Sequence, residues 1–257
     1  MKTCKSVIAI FILVLLASQT FAQRNTLFDA FELQLGFKNT KADKGVFSYR
    51  MDSIMPDTAS MWGSKAIGPT ESIVFLGGGV EIDLGNRFFA AAKGAVYLKG
   101  AKGGEFALGL GYRFRLNYFL RLHPELLVSW TSFQDSIGKL SYTPDQMTLI
   151  DMRFMRDARL TTYYKNQQYG FQPKLSFIAD VGDKFEFRFT LMYQLGIIYN
   201  QSLVVKGAIT TGQDGKKVLP FRKEELITKF DGEDLTKSLY RSSGFSARVG
   251  FAIKLYR

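Results

Sequence analysis

Phe245-Ser-Ala-Arg-Val-Gly-Phe-Ala-Ile-Lys-Leu255 alternates without a break. Phe245, Ala247, Val249, Phe251, Ile253 and Leu255 fall on one side of an extended chain, and Ser246, Arg248, Gly250, Ala252 and Lys254 on the other, because successive strand side chains point to opposite faces. The stretch predicts a strand that is greasy on one face and polar or small on the other. Seven more segments repeat it, at 27–38, 72–84, 87–98, 104–116, 119–134, 167–181 and 185–199. Many exceed the ~5–6 residues usual for globular strands and reach the ~9–11 that a tilted bilayer strand needs. Gly85-Asn86, Asn117-Tyr118 and Gly182-Asp183-Lys184 suit tight turns. Longer connections alternate with them at 39–71, 99–103, 135–166 and 200–242. Short turns at one rim and long loops at the other mark outer-membrane barrels. An even strand count lets the first strand pair with the last. The predicted fold is all-β: an eight-stranded antiparallel up-and-down transmembrane β-barrel.

The first residues read as a signal peptide over 1–22. Lys2 and Lys5 precede the apolar run Val7–Ala17, and Thr20 and Ala22 place cleavage after Ala22. The barrel domain is then 23–257. The one cysteine, Cys4, lies within that leader, so the remaining chain has no disulfide and no cysteine-ligated metal. Without Lys2 and Lys5 it carries 32 Lys and Arg against 23 Asp and Glu, a formal excess of +9. No nucleic-acid recognition motif accompanies that charge. Anionic lipid head groups are the expected counter-charge, with outer-membrane lipids, lipopolysaccharide and the barrel-assembly machinery as expected partners.

A soluble eight-stranded barrel would turn the apolar face inward. Volume decides against it. That face carries about forty bulky side chains, while an eight-stranded interior holds only modest side chains or one small ligand. The opposite face is rich in small residues, among them Gly36, Gly77, Gly79, Ala91, Ala95, Gly109, Gly111 and Gly250. The greasy face is therefore expected to meet lipid. The lumen then holds Arg113, Arg115, Arg121, Arg188, Arg248 and Lys254 against Glu32, Glu81, Asp83, Glu125, Asp180 and Glu186. Six cations and six anions in so narrow a space are expected to pair as a structural plug. The competing reading is a selective pore, which eight strands barely allow. Leu191→Arg on the lipid face should be costly, and Gln194→Arg milder if the lumen is wet.

No catalytic, cofactor-binding or metal-binding residue is assigned. His123 lies on the lumen side of strand five, with Ser129 about 20 Å along the strand and Ser176 expected nearer the other rim. No G-x-S-x-G, P-loop or EF-hand appears. Gly77-Gly-Gly79 is mid-strand and reads as curvature. Asp231-Gly-Glu-Asp234 lacks the full spacing of a calcium loop. The long loops 39–71, 135–166 and 200–242 are the candidate surfaces for a protein partner. Arg222–Phe230 reads as a short amphipathic helix. Met147, Met152, Phe154 and Met155 are expected to pack over the barrel mouth or make contacts.

Asn117-Tyr-Phe-Leu-Arg-Leu-His-Pro-Glu-Leu-Leu-Val-Ser-Trp130 resembles the fifth-strand signature of PorT-like outer-membrane β-barrel proteins of Bacteroidota, and Gly109-Leu-Gly-Tyr-Arg-Phe114 is similar to the same family. The resemblance implies a porin-type, Gram-negative outer-membrane barrel, in a family one of whose branches serves secretion. The usual terminal aromatic is absent here, since Tyr256 is penultimate and Arg257 last. The expected function is a scaffold or adaptor in the cell outer membrane that displays loops to a partner, and not an enzyme. Alternatives are a narrow channel for small solutes and an outer-membrane lipid-modifying enzyme.

Overall fold

In the computed structural model of the chain, the described residues are 28–42, 44–52, 60–67, 70–99, 102–141, 146–149, 152–155, 159–209, 211–221, 226–235, 240–241 and 244–255. The expected leader at 1–22 lies outside them. Eight long strands follow one another: β1 Phe28–Ala42, β2 Thr70–Gly85, β3 Phe88–Lys99, β4 Lys102–Tyr112, β5 Leu120–Ser141, β6 Arg159–Val181, β7 Phe185–Ala208 and β8 Gly244–Lys254. Each pairs antiparallel with its chain neighbours, and β8 returns to β1 with Leu33 opposite Phe251 and Leu35 opposite Val249. The ring is closed and leaves no open edge.

The tight turns form where left-handed backbone is available. Gly85, Asn86 and Arg87 all have positive φ, at 82°, 51° and 69°. Asn117 Oδ1 accepts from the Phe119 and Leu120 amides at 3.1 and 2.8 Å, closing the turn before β5.

The alternation sorts the two faces as hydrophobic volume requires. Leu35, Phe37, Leu98, Phe106, Leu110, Leu126, Val128, Phe171 and Phe251 point outward and are exposed, while Glu32, Glu81, Glu125, Arg188 and Gln194 are buried inside. An outward apolar band around a charged interior is the architecture of a membrane barrel, because every strand hydrogen bond is satisfied within the ring while the apolar side chains meet hydrocarbon. Among the described residues no helix is long and apolar enough to cross a membrane. Crossing falls to the strands.

β5, β6 and β7 are 22, 23 and 24 residues long. They run past their expected ends at 134, 167 and 199 and stand as a sheet above the apolar belt. Asp214–Pro220 adds an edge to β7, with Val218 opposite Val204. A second sheet forms from the long connections, in the order Glu233–Asp234, Leu226–Phe230, Gly45–Asp52 and Ser60–Ile67. The expected helix at Arg222–Phe230 is corrected here. Leu226–Phe230 is a strand with Leu226 opposite Met51 and Phe230 opposite Phe47, and its burial alternates with period two; 222–225 lie outside the described residues. The reach of 39–71 and 200–242 is therefore largely sheet rather than irregular loop.

Candidate functional site in the barrel lumen

Side chains from all eight strands meet in the lumen. At its centre Arg188 of β7 bonds Glu32 of β1 at 2.9 Å, Glu186 at 2.7 Å, and Glu81 of β2. Lys93 of β3 reaches Glu32 at 2.6 Å, Glu81 at 3.4 Å and Glu125 at 3.5 Å. Lys174 of β6 holds Glu125 at 3.0 Å and Glu32 at 3.8 Å. Toward the short-turn rim, Arg121 bonds Asp180 and Glu186, each at 2.6 Å, and Lys254 reaches Asp180 at 2.6 Å. Arg113 pairs with Asp29 and, at 3.0 Å, with Asp83. Toward the loop rim, Glu105 of β4 pairs with Arg248 of β8 and with Lys38 of β1 at 3.3 Å. Lys38 also donates to Gln194, whose amide nitrogen donates to Thr131 Oγ1 at 2.8 Å.

Among the described residues these paired charges balance, with eight cations (Lys38, Lys93, Arg113, Arg121, Lys174, Arg188, Arg248 and Lys254) against eight anions (Asp29, Glu32, Glu81, Asp83, Glu105, Glu125, Asp180 and Glu186). Balance is what burial demands, since an uncompensated ion in this space costs several kcal/mol. β4 and β8 are opposite staves of the ring, so the Arg248–Glu105 pair crosses the full width of the lumen.

Eleven of the twelve expected lumen charges take part in these ion pairs. Arg115 does not. It is exposed at the short-turn rim, donating to the Asn117 carbonyl at 3.4 Å and lying 5.2 Å over the Tyr118 ring. The physical reason is that β4 ends at Tyr112 and only Phe114–Arg115 pairs back with β5, so Arg115 is past the lumen mouth. Lys38, Lys93, Glu105 and Lys174 were not named from sequence, although each shares strand parity with a predicted inner residue. Asp29 had no such signal, because the register shifts between Phe28 and Ala30.

His123 is buried 5.2 Å from the Phe89 ring centroid, with Nδ1 3.9 Å from Glu81. Ser176 lies opposite His123 in the β5–β6 register, at the same height. That corrects the expectation that Ser176 sits nearer the other rim, since the pairing Ala179–Leu120 fixes both strands from the short-turn end. Ser176 Oγ nevertheless contacts Thr190 at 2.9 Å and Glu125 at 3.4 Å, and neither ring nitrogen of His123 has a hydrogen-bond partner. Among the described residues Ser176 and His123 share no hydrogen bond. Asp231 Oδ1 accepts from the Val46 amide at 2.7 Å, so the acidic turn fastens the second sheet. Among the described residues no cluster of three or more His, Cys, Asp or Glu could hold a metal.

Above the ions the interior turns apolar. Phe75, Tyr97 and Phe133 from the barrel meet Phe47, Tyr49, Met51, Ile67, Phe154, Leu160, Tyr164, Leu203, Leu219 and Leu226 in one buried cluster. Phe47 stacks on Phe221 at 5.7 Å and on Tyr49 at 5.9 Å. Tyr49 shares a 2.7 Å hydrogen bond with Thr162, and burial raises its phenol above the usual tyrosine range. Phe154, expected over the mouth, is part of this cap; the side chains of Met147, Met152 and Met155 lie outside the described ones. The described loop-side connections thus pack over the loop end of the barrel.

No protein-family profile and no curated protein matches the chain. Solved structures do. The outer membrane protease OmpT from Escherichia coli matches at 10% identity over 90% of this chain and 97% of its own, with a TM-score of 0.33. The outer membrane protein OprG from Pseudomonas aeruginosa matches at 11% identity over 89% and 97%, with a TM-score of 0.34. A Pseudomonas aeruginosa FadL homologue matches at 8% identity over 90% and 91%, with a TM-score of 0.21. The barrel described above rests on its own closed register.

Proposed function

We propose that the protein is a sealed outer-membrane scaffold: a non-catalytic barrel that anchors a rigid loop-side β layer and presents it to a protein partner. The observation that carries this reading is the double closure of the lumen. Ion pairs between strands that are not ring neighbours cross its middle, and a continuous hydrophobic cluster fills its loop end. A channel needs neither. The tall sheet of β5–β7 with its added edge Asp214–Pro220 is an ordered platform, suited to holding a partner at low entropic cost. Lipids and lipopolysaccharide would surround the belt after delivery by the barrel-assembly machinery. A PorT-like, secretion-associated role is a finer form of the same proposal and rests on the 117–130 segment.

The test is planar-bilayer recording of the purified barrel. A sealed scaffold gives no stable unitary conductance, whereas a reproducible one overturns the reading in favour of the narrow channel. Comparing outer-membrane lipids with and without the gene by mass spectrometry addresses the lipid-modifying alternative; an unchanged lipid profile is expected.

A further inference from the structure

The lipid-facing wall between β1 and β4 carries a notch. Gly78 and Gly94 pair directly across β2 and β3, both facing outward, so the wall there has no side chain on either strand. Leu33, Leu76, Val96 and Leu98 rise around that floor and enclose a groove of about 450 Å³. A second cleft, of about 440 Å³, begins where the groove ends, and Leu98 lines both. Its lining includes Lys99, Lys102, Lys139, Gln134, Tyr163 and Asp135. Asp135 is paired with Lys65. The three lysines are exposed and make no ion pair among the described residues.

Depth links the two. From Leu98 to Ala92 the strand runs six residues, about 20 Å at ~3.3 Å each. Tilted by ~35–45°, it descends about 15 Å, half of a ~30 Å hydrocarbon core. The groove therefore spans the chains of one leaflet, and the lysines stand at that leaflet's head-group level. A hollow at that depth fills with hydrocarbon, and free ammonium groups at its top attract phosphate.

We propose that this outer wall is a binding site for a net-anionic, phosphate-bearing acylated lipid of the leaflet at the loop rim, in preference to a zwitterionic phospholipid. An acyl chain lies over Gly78 and Gly94, and the phosphate sits among Lys99, Lys102 and Lys139. The site rests on the membrane reading of the barrel, but not on the scaffold role.

Native mass spectrometry of the detergent-purified barrel tests it, by titration with lipid A, phosphatidylglycerol, phosphatidylcholine and inorganic phosphate. Lipid A or phosphatidylglycerol should bind, the tighter one naming the source, and phosphatidylcholine should bind about tenfold or more weakly. Replacing Lys99, Lys102 and Lys139 together by Gln should remove that preference. Gly94→Leu fills the groove and should weaken both acylated anions while leaving the barrel folded, because a Cβ there meets nothing nearer than the Glu105 carbonyl oxygen at 3.7 Å. Unheated gel mobility checks the fold of each variant. Equal binding of phosphatidylcholine, displacement by inorganic phosphate, or unchanged affinity in folded variants overturns the proposal. A chain that stays monomeric and folded without detergent overturns the membrane reading itself, and is measured separately by sedimentation.

Discussion

Arg188→Met tests whether burial, rather than the number of ion pairs, sets the value of the lumen charges. The Arg188 side chain is 1% exposed and faces three carboxylates, Glu32, Glu81 and Glu186. Removing one member of a buried ionic group costs ~3–5 kcal/mol, because a charge is left without compensation. Here each carboxylate keeps another cation: Glu32 has Lys93 and Lys174, Glu81 has Lys93, and Glu186 has Arg121. The expected loss is therefore at the lower end, about 3 kcal/mol. Arg113→Met is the control. Arg113 also holds two carboxylates, but its side chain is 19% exposed and that of Asp83 is 51% exposed, so solvent screening limits the loss to about 1 kcal/mol. Adding Glu81→Gln to Arg188→Met removes the surplus negative charge and should recover at least ~1 kcal/mol, a coupling between touching residues. Urea unfolding of the barrel in lipid vesicles, followed by fluorescence of the two tryptophans, measures all three. Equal losses for Arg188→Met and Arg113→Met would refute the reasoning, as would an Arg188→Met barrel within ~1 kcal/mol of the parent.

Leu191 faces outward and is 39% exposed; Leu191→Arg should cost ~2–4 kcal/mol in the same vesicles. Gln194 is fully buried between Lys38 and Thr131, so Gln194→Arg sets a second cation beside Lys38 and should cost at least as much, whereas a wet lumen would make it milder. Phe47 is 1% exposed in the cap, and Phe47→Ala should remove ~3–5 kcal/mol from that cluster. Limited proteolysis should then cut within Gly45–Asp52 and Leu226–Phe230 while the barrel below keeps its gel mobility; simultaneous loss of both would show that cap and barrel unfold as one unit.

The eight strands were legible because a membrane barrel writes period-two alternation over long segments, and few other folds place so many large apolar residues at that spacing. The short turns were legible from Gly85, Asn117 and Gly182. Loop-side ends were not. Past Gln134, before Gln167 and after Tyr199, the pattern stops distinguishing lipid from solvent, yet β5–β7 continue for seven to nine residues because a second sheet covers their inner faces. Leu226–Phe230 misled for a related reason: five residues satisfy helical and extended periods almost equally, and only pairing with Gly45–Asp52 separates them.

The amino-acid sequence by itself determined the strand number, the lipid-facing side and a charged lumen, since each follows from parity and from the volume an eight-stranded ring can hold. Tertiary structure decided which charges meet, that Arg248 and Glu105 join opposite staves, that the loop-side connections pack over the mouth, and that Gly78 lies beside Gly94. Those are contacts between residues far apart in the chain, and their registers are fixed only when the ring closes and every strand must satisfy two neighbours at once.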